Sequence, residues 1–139
     1  MKNKFFKFFF IIIYFSSFYI NAELVFEENF PKDLQGIWSE DCSMQNQVFL
    51  ISNNTSMWID DSYVGFNISK TSKVQDWTAY KWGELDGSYY YFIKKNGDNL
   101  IEISPPDEWD GIDYSFLKSS EYSEYEKCES IPSMFQIIY

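Results

Sequence analysis

The chain has 139 residues, 22% of them aromatic, and carries 21 Asp and Glu against 11 Lys, with no Arg and no His. That length suits one domain, and the aromatic content excludes a disordered chain; a net charge of −10 repels phosphate backbones and anionic lipid, which sets nucleic acid and membrane surfaces aside as partners. Without histidine, a Ser-His-Asp or Cys-His nucleophilic site is excluded, two cysteines cannot complete a zinc site, and the reading is of a non-enzymatic protein with no catalytic residues, no cofactor and no metal.

The first element is an export signal. Lys2, Lys4 and Lys7 form a positive start, Phe8 to Ile20 is a nearly unbroken apolar run, and Asn21-Ala22 supplies a small-residue exit. Residues 1–22 therefore read as a cleaved signal peptide. A permanent anchor is the rival reading, but a spanning helix wants about 20 apolar residues. Cleavage leaves 117 residues, expected as one domain over 23–139, secreted or periplasmic, and monomeric. All 21 acids lie beyond the signal and three lysines lie within it, so cleavage takes the charge to −13.

Short apolar runs then recur at intervals of about ten residues, each bounded by turn residues. Leu34–Ser39 and Gln47–Ile51 are the first two, and Ser52-Asn53-Asn54 supplies a turn. Ser56–Asp60 and Tyr63–Ile68 follow, the latter alternating Val64, Phe66 and Ile68 against Tyr63, Gly65 and Asn67, as a half-buried strand does. Val74–Trp82 reads as one strand. Gly83–Gly87 is turn chemistry. Ser88–Lys94 and Asn99–Ser104 flank Asn96-Gly97, a strong hairpin signal. Pro105-Pro106 ends that strand, and an acidic loop, Asp107–Asp113, precedes an expected strand at Tyr114–Lys118. Ser120–Cys128 is ambiguous: Tyr122, Tyr125 and Cys128 recur at helical spacing, yet Tyr122, Glu124, Glu126 and Cys128 alternate as a strand would. The strand is favoured because its neighbours are strands. Met134–Tyr139 is apolar and suits a short edge strand.

Roughly seven or eight antiparallel strands with tight turns imply an all-β fold: a single meander closing into a small barrel, or alternatively a β-sandwich. In an exported chain the two cysteines, Cys42 and Cys128, read as a disulfide joining the first strand region to the last; two free thiols are the alternative.

Gly36-Ile37-Trp38 at the start of the first strand, the strand meander and the Cys42/Cys128 placement together resemble the lipocalin-like (calycin) barrels. The resemblance implies that Trp38 plugs the closed end of a barrel whose cavity takes small apolar ligands. The chain departs from that family in lacking a Thr-Asp-Tyr motif and an arginine to pack on the tryptophan.

Trp77, Tyr80, Trp82 and the run Tyr89-Tyr90-Tyr91 crowd two strand regions. Such rings serve either as bulky core and rim or as stacking and anchoring surfaces. Trp38, Trp58, Trp77, Tyr80, Trp82 and Tyr90 are the candidate ligand or partner contacts. Asp107, Glu108, Asp110 and Asp113 are clustered carboxylates of the kind a hard cation takes, without EF-hand spacing; solvated loop charges are the simpler reading. Two functions from different classes follow. One is a carrier holding a small apolar or aromatic ligand inside the barrel. The other is an acidic interaction module, such as an inhibitor of a basic hydrolase like lysozyme. A hollow or a filled interior separates them.

Overall fold

The computed structural model describes residues 24–43, 47–60, 64–83 and 89–130. The signal segment and Met134–Tyr139 lie outside them. The described chain folds as nine antiparallel strands: β1 (Gly36–Ser39), β2 (Gln47–Ile51), β3 (Thr55–Asp60), β4 (Val64–Ile68), β5 (Thr71–Val74), β6 (Trp77–Trp82), β7 (Tyr89–Asn96), β8 (Asn99–Ile103) and β9 (Ser123–Cys128). They form one sheet in the order β4-β3-β2-β1-β9-β8-β7-β6-β5. Every neighbour pair is sequential except β1–β9, which joins the two ends of the chain. The result is a curled half-barrel with edges β4 and β5. Two residues join those edges, so the sheet curls back toward itself at this corner, although β4 and β5 do not pair with each other. Ser69 Oγ and Asn67 Nδ2 hold the corner by donating to the Lys81 carbonyl at 3.1 and 2.8 Å.

The barrel's seam is covalently locked. Cys42 and Cys128 form a disulfide with Cα atoms 5.5 Å apart, inside the range a bridge requires. It ties the loop after β1 to the end of β9. Ile37 pairs with Cys128 there, and the Cys42 N–H donates to Glu126 Oε1 at 2.6 Å.

Two expected elements differ from what the fold contains. Val74–Trp82 is not one strand: Val74 pairs with Trp77 across a two-residue turn, so β5 and β6 form a hairpin. Gln75 takes a φ of +56° at that turn, a conformation usually left to Gly or Asn, and neither of those residues announces it. Tyr114–Lys118 is not a strand either. Ser115–Lys118 is a 3-10 helix, because Asp113 accepts the Ser115 N–H and hydroxyl at 2.8 and 3.0 Å and Leu117 N–H bonds back to Tyr114 O at 3.1 Å.

Strand alternation divides the apolar residues into two main clusters. On the concave face lie Phe30, Leu34, Trp38, Phe49, Ile51, Tyr80, Ile93, Leu100 and Tyr125. On the convex face of β5 to β8 lie Val74, Trp77, Ala79, Phe92, Ile101, Ile103 and Leu117. The connection between β8 and β9 folds over the convex cluster, placing Trp109, Tyr114 and Phe116 against it. A smaller convex cluster on the other half contains Val48 and Ile59. In β4 the apolar face is the exposed one: Val64, Phe66 and Ile68 are all more than half exposed. The inward face of β4 carries Gly65 opposite Trp58, where the missing side chain leaves room for the indole.

Gly36-Ile37-Trp38 has a local explanation. Gly36 takes a φ of +150°, and a Cβ there would stand 3.0 Å from Lys127 Cε. Glycine thus meets both a backbone demand and a steric one. Two residues on, Trp38 is wholly buried and its indole N–H donates to Leu34 O at 2.9 Å.

Candidate functional site

Neighbouring strands in register must present paired residues to the same face. Tyr80 pairs with Tyr91, Ile93 with Glu102, Glu102 with Ser123 on β9 in turn, and Phe49 with both Trp38 and Trp58. All of these face inward. The mouth of the half-barrel is therefore ringed by Phe49, Trp58, Tyr80, Trp82, Tyr91 and Glu102, which line a pocket of about 220 Å³. Tyr80 stacks on Tyr91 with centroids 5.4 Å apart and on Phe49 at 6.1 Å. Trp58 meets the edge of Tyr125 at 6.5 Å.

Among the described residues of that lining the one charged group is Glu102. Tyr80 OH donates to its Oε2 at 2.9 Å, and Tyr125 OH lies 3.4 Å from Oε1. Burial pushes the Glu102 carboxyl upward, and the two phenol donors partly offset this. Burial, with the facing carboxylate second, raises the Tyr80 and Tyr125 phenols; Tyr91 is raised for the same two reasons. These phenols stay protonated at ordinary pH, and those of Tyr80 and Tyr125 donate to the acid. A shallower depression of about 300 Å³ shares Glu102 and continues to Glu121, Tyr122 and Ser123.

Of the six aromatics singled out in the sequence, Trp58, Tyr80 and Trp82 come together in the pocket. Trp38 belongs to the same concave cluster. Lys95 and Lys127 lie over its ring with Nζ 4.8 and 5.5 Å from the centroid, so lysines occupy the place where arginine was looked for. Trp77 and Tyr90 lie on the convex side. Trp77 is buried there under Lys94, whose Nζ is 4.4 Å from the ring and pairs with Asp76 at 2.8 Å. Tyr90 packs edge-on against Trp109 at 5.4 Å. Sequence reasoning missed Phe49, Tyr91 and Glu102. The signal for Glu102 was present: it is the lone charge within Leu100-Ile101-Glu102-Ile103, on the Leu100 face.

In the acidic loop, the carboxylates bind the loop's own backbone. Asp110 accepts the N–H groups of Asp113 and Ile112 at 3.0 and 2.8 Å, which holds its carboxyl below the usual range. Among the described residues no group of three or more acids, histidines or cysteines is placed to hold a metal ion.

No protein-family model, curated protein or solved structure matches this chain.

Proposed function

We propose that the protein is an exported, non-enzymatic binding barrel, related to the lipocalin-like family, that carries a small ligand in its concave pocket. The observation that carries this reading is the 220 Å³ space walled by five aromatic side chains. Well-packed interiors leave few voids larger than a water, so an aromatic-lined space open at one side is the default ligand site. Its volume lies below the roughly 300–1,000 Å³ of drug-sized sites, and the occupant is correspondingly small. Trp38, held by its indole hydrogen bond between two lysines, supports the lipocalin-like kinship. The disulfide supports an oxidising, extracellular or periplasmic location, and none of the described helices is long and apolar enough to cross a membrane.

Native mass spectrometry of the secreted protein tests the proposal. A bound small molecule that is lost in Trp82→Leu supports it; a bare protein whose tryptophan fluorescence ignores a small-molecule library overturns it.

A second reading has its own observation. Val64, Phe66 and Ile68 form an exposed apolar stripe on edge strand β4, on a protein of strongly negative charge. Such an edge suits strand addition by a partner, and the charge would steer a basic one. Under this reading Phe66→Ser abolishes inhibition of a basic hydrolase such as lysozyme, and Trp82→Leu leaves it intact.

A further inference from the structure

We infer that the pocket selects a small organic cation, a substituted ammonium, over a neutral apolar molecule of the same shape. This rests on reading the pocket as a ligand site and goes further by assigning the ligand's charge. The argument is electrostatic. Burying a carboxylate among aromatic rings is costly unless it is paired or fully hydrogen-bonded. Glu102 has two phenol contacts, and one of them is long, at 3.4 Å. Among the described residues no lysine lies within ion-pair distance of it. Lys95 and Lys127, which share its inward face, are engaged instead over Trp38.

Among the described residues every other wall of the pocket is electron-rich. Phe49, Trp58, Tyr80, Trp82 and Tyr91 present ring systems whose faces carry negative quadrupole potential. A cation over such faces is attracted within about 6 Å, most strongly when desolvated. Ring faces and a carboxylate around one small space therefore act with the same sign. A neutral hydrocarbon would fill the volume but leave Glu102 without a counter-charge, and an anion would be repelled from every side. A hydrophobic carrier gains nothing from an acid at this position. The neighbouring depression continues the sign, because it shares Glu102 and adds Glu121.

The test uses choline and its uncharged isostere 3,3-dimethylbutan-1-ol, titrated into the secreted protein and followed by tryptophan fluorescence and by chemical shifts of the pocket residues. Choline should bind more tightly by on the order of tenfold or more. Glu102→Gln should remove most of that preference, weakening choline far more than the alcohol, and Trp82→Leu should weaken choline without unfolding the protein. Glu108→Gln, in the exposed loop, should change neither probe, which separates the pocket from general attraction to an acidic surface. Equal or tighter binding of the alcohol would overturn the charge assignment and leave the ligand site standing. If neither probe perturbs the pocket residues, both readings fall.

Discussion

Two aromatic clusters stand back to back on β6, β7 and β8, and they are built differently. On the convex side Phe92, Trp109, Tyr114 and Phe116 meet edge to face, with centroids 5.2 to 6.1 Å apart and interplanar angles of 71–86° around Phe92. On the concave side Phe49, Tyr80 and Tyr91 stack nearly parallel, at 22–25°. Edge-to-face rings interlock and fill space; parallel rings make flat walls. The convex cluster is roofed by the β8–β9 connection, and the Trp109 indole N–H is satisfied by Asp113 O at 2.7 Å. The concave cluster contains a carboxylate and an open volume. Aromatic abundance alone does not distinguish a core from a site. Edge contacts occur on the concave side too, Trp58 on Tyr125 and Phe30 on Tyr80, so the distinguishing features are the open volume and the charge among the rings.

The largest expected effect comes from the seam beneath the concave cluster. Reducing Cys42–Cys128 opens a loop of 86 positions, which the chain-entropy estimate values at roughly 4–5 kcal/mol as an upper figure. A melt under reductant should shift down by very roughly 10 °C or more. The comparison predicts an order of loss as well. β1 and β9 carry Trp38 and Tyr125 of the concave cluster and no residue of the convex cluster on β5 to β8, so amide exchange should rise first around β1 and β9 and last at Phe92. Uniform exchange would break the distinction.

Next comes Phe92→Ala. Phe92 is wholly buried at the centre of the convex rings, and truncation there should cost about 3–5 kcal/mol. Ligand binding in the surviving folded fraction should be unchanged, because Phe92 faces away from the pocket. Gly36→Ala should cost less, roughly 1–3 kcal/mol, from the backbone strain of its φ; the Lys127 side chain can move aside. Chemical denaturation curves measure both.

Much of this fold was legible because its punctuation is local. β2 spans the residues its apolar run marks, and a hairpin does form where Asn96-Gly97 signals one, shifted by one residue: Asn96 pairs with Asn99, and the turn residues are Gly97, at φ +63°, and Asp98. What stayed hidden has physical causes. The β5–β6 turn uses Gln75 in a left-handed conformation, and Asp76 alone, without Gly, Asn or Pro beside it, is too weak a turn mark to split the run. Tyr125 and Cys128 recur at helical spacing because they are buried on opposite faces of one strand, Tyr125 in the concave cluster and Cys128 paired with Ile37. In Tyr89-Tyr90-Tyr91 composition cannot assign a face; register with Tyr80 turns Tyr91 inward and leaves Tyr90 for the convex cluster. Glu102 could be seen as a misplaced charge, but its partners come from β6 and β9, and only the strand order, with β9 beside β8 and β6 two strands away, brings them to it.

The smallest predicted effect is the most specific to the concave cluster, and it is a slope. Burial raises the Glu102 carboxyl above its ordinary value, against the hydrogen bonds of Tyr80 and Tyr125. A carboxyl that is harder to ionise in the fold than in the open chain favours folding while both states are protonated. That contribution is present below the unfolded-state value and is lost as pH rises through the folded-state value. Glu102→Gln removes the titration. The difference in melting temperature, variant minus parent, should therefore increase as pH rises from the ordinary glutamate range through the raised one, then level off. The facing groups do not blur this window. Tyr80, Tyr91 and Tyr125 are all raised above the ordinary phenol value, and Lys95 and Lys127 are turned over Trp38. Asp76, lowered chiefly by its hydrogen bond to Lys94, and Asp110 act in the opposite sense, but they are common to both proteins and cancel in the difference. The offset between the two curves reflects lost hydrogen bonds; the slope reads Glu102 alone. A difference that falls with pH would mean that Glu102 is stabilised as an anion by a partner already within the chain. The concave cluster would then be a second packed core, and the contrast with the convex one would disappear.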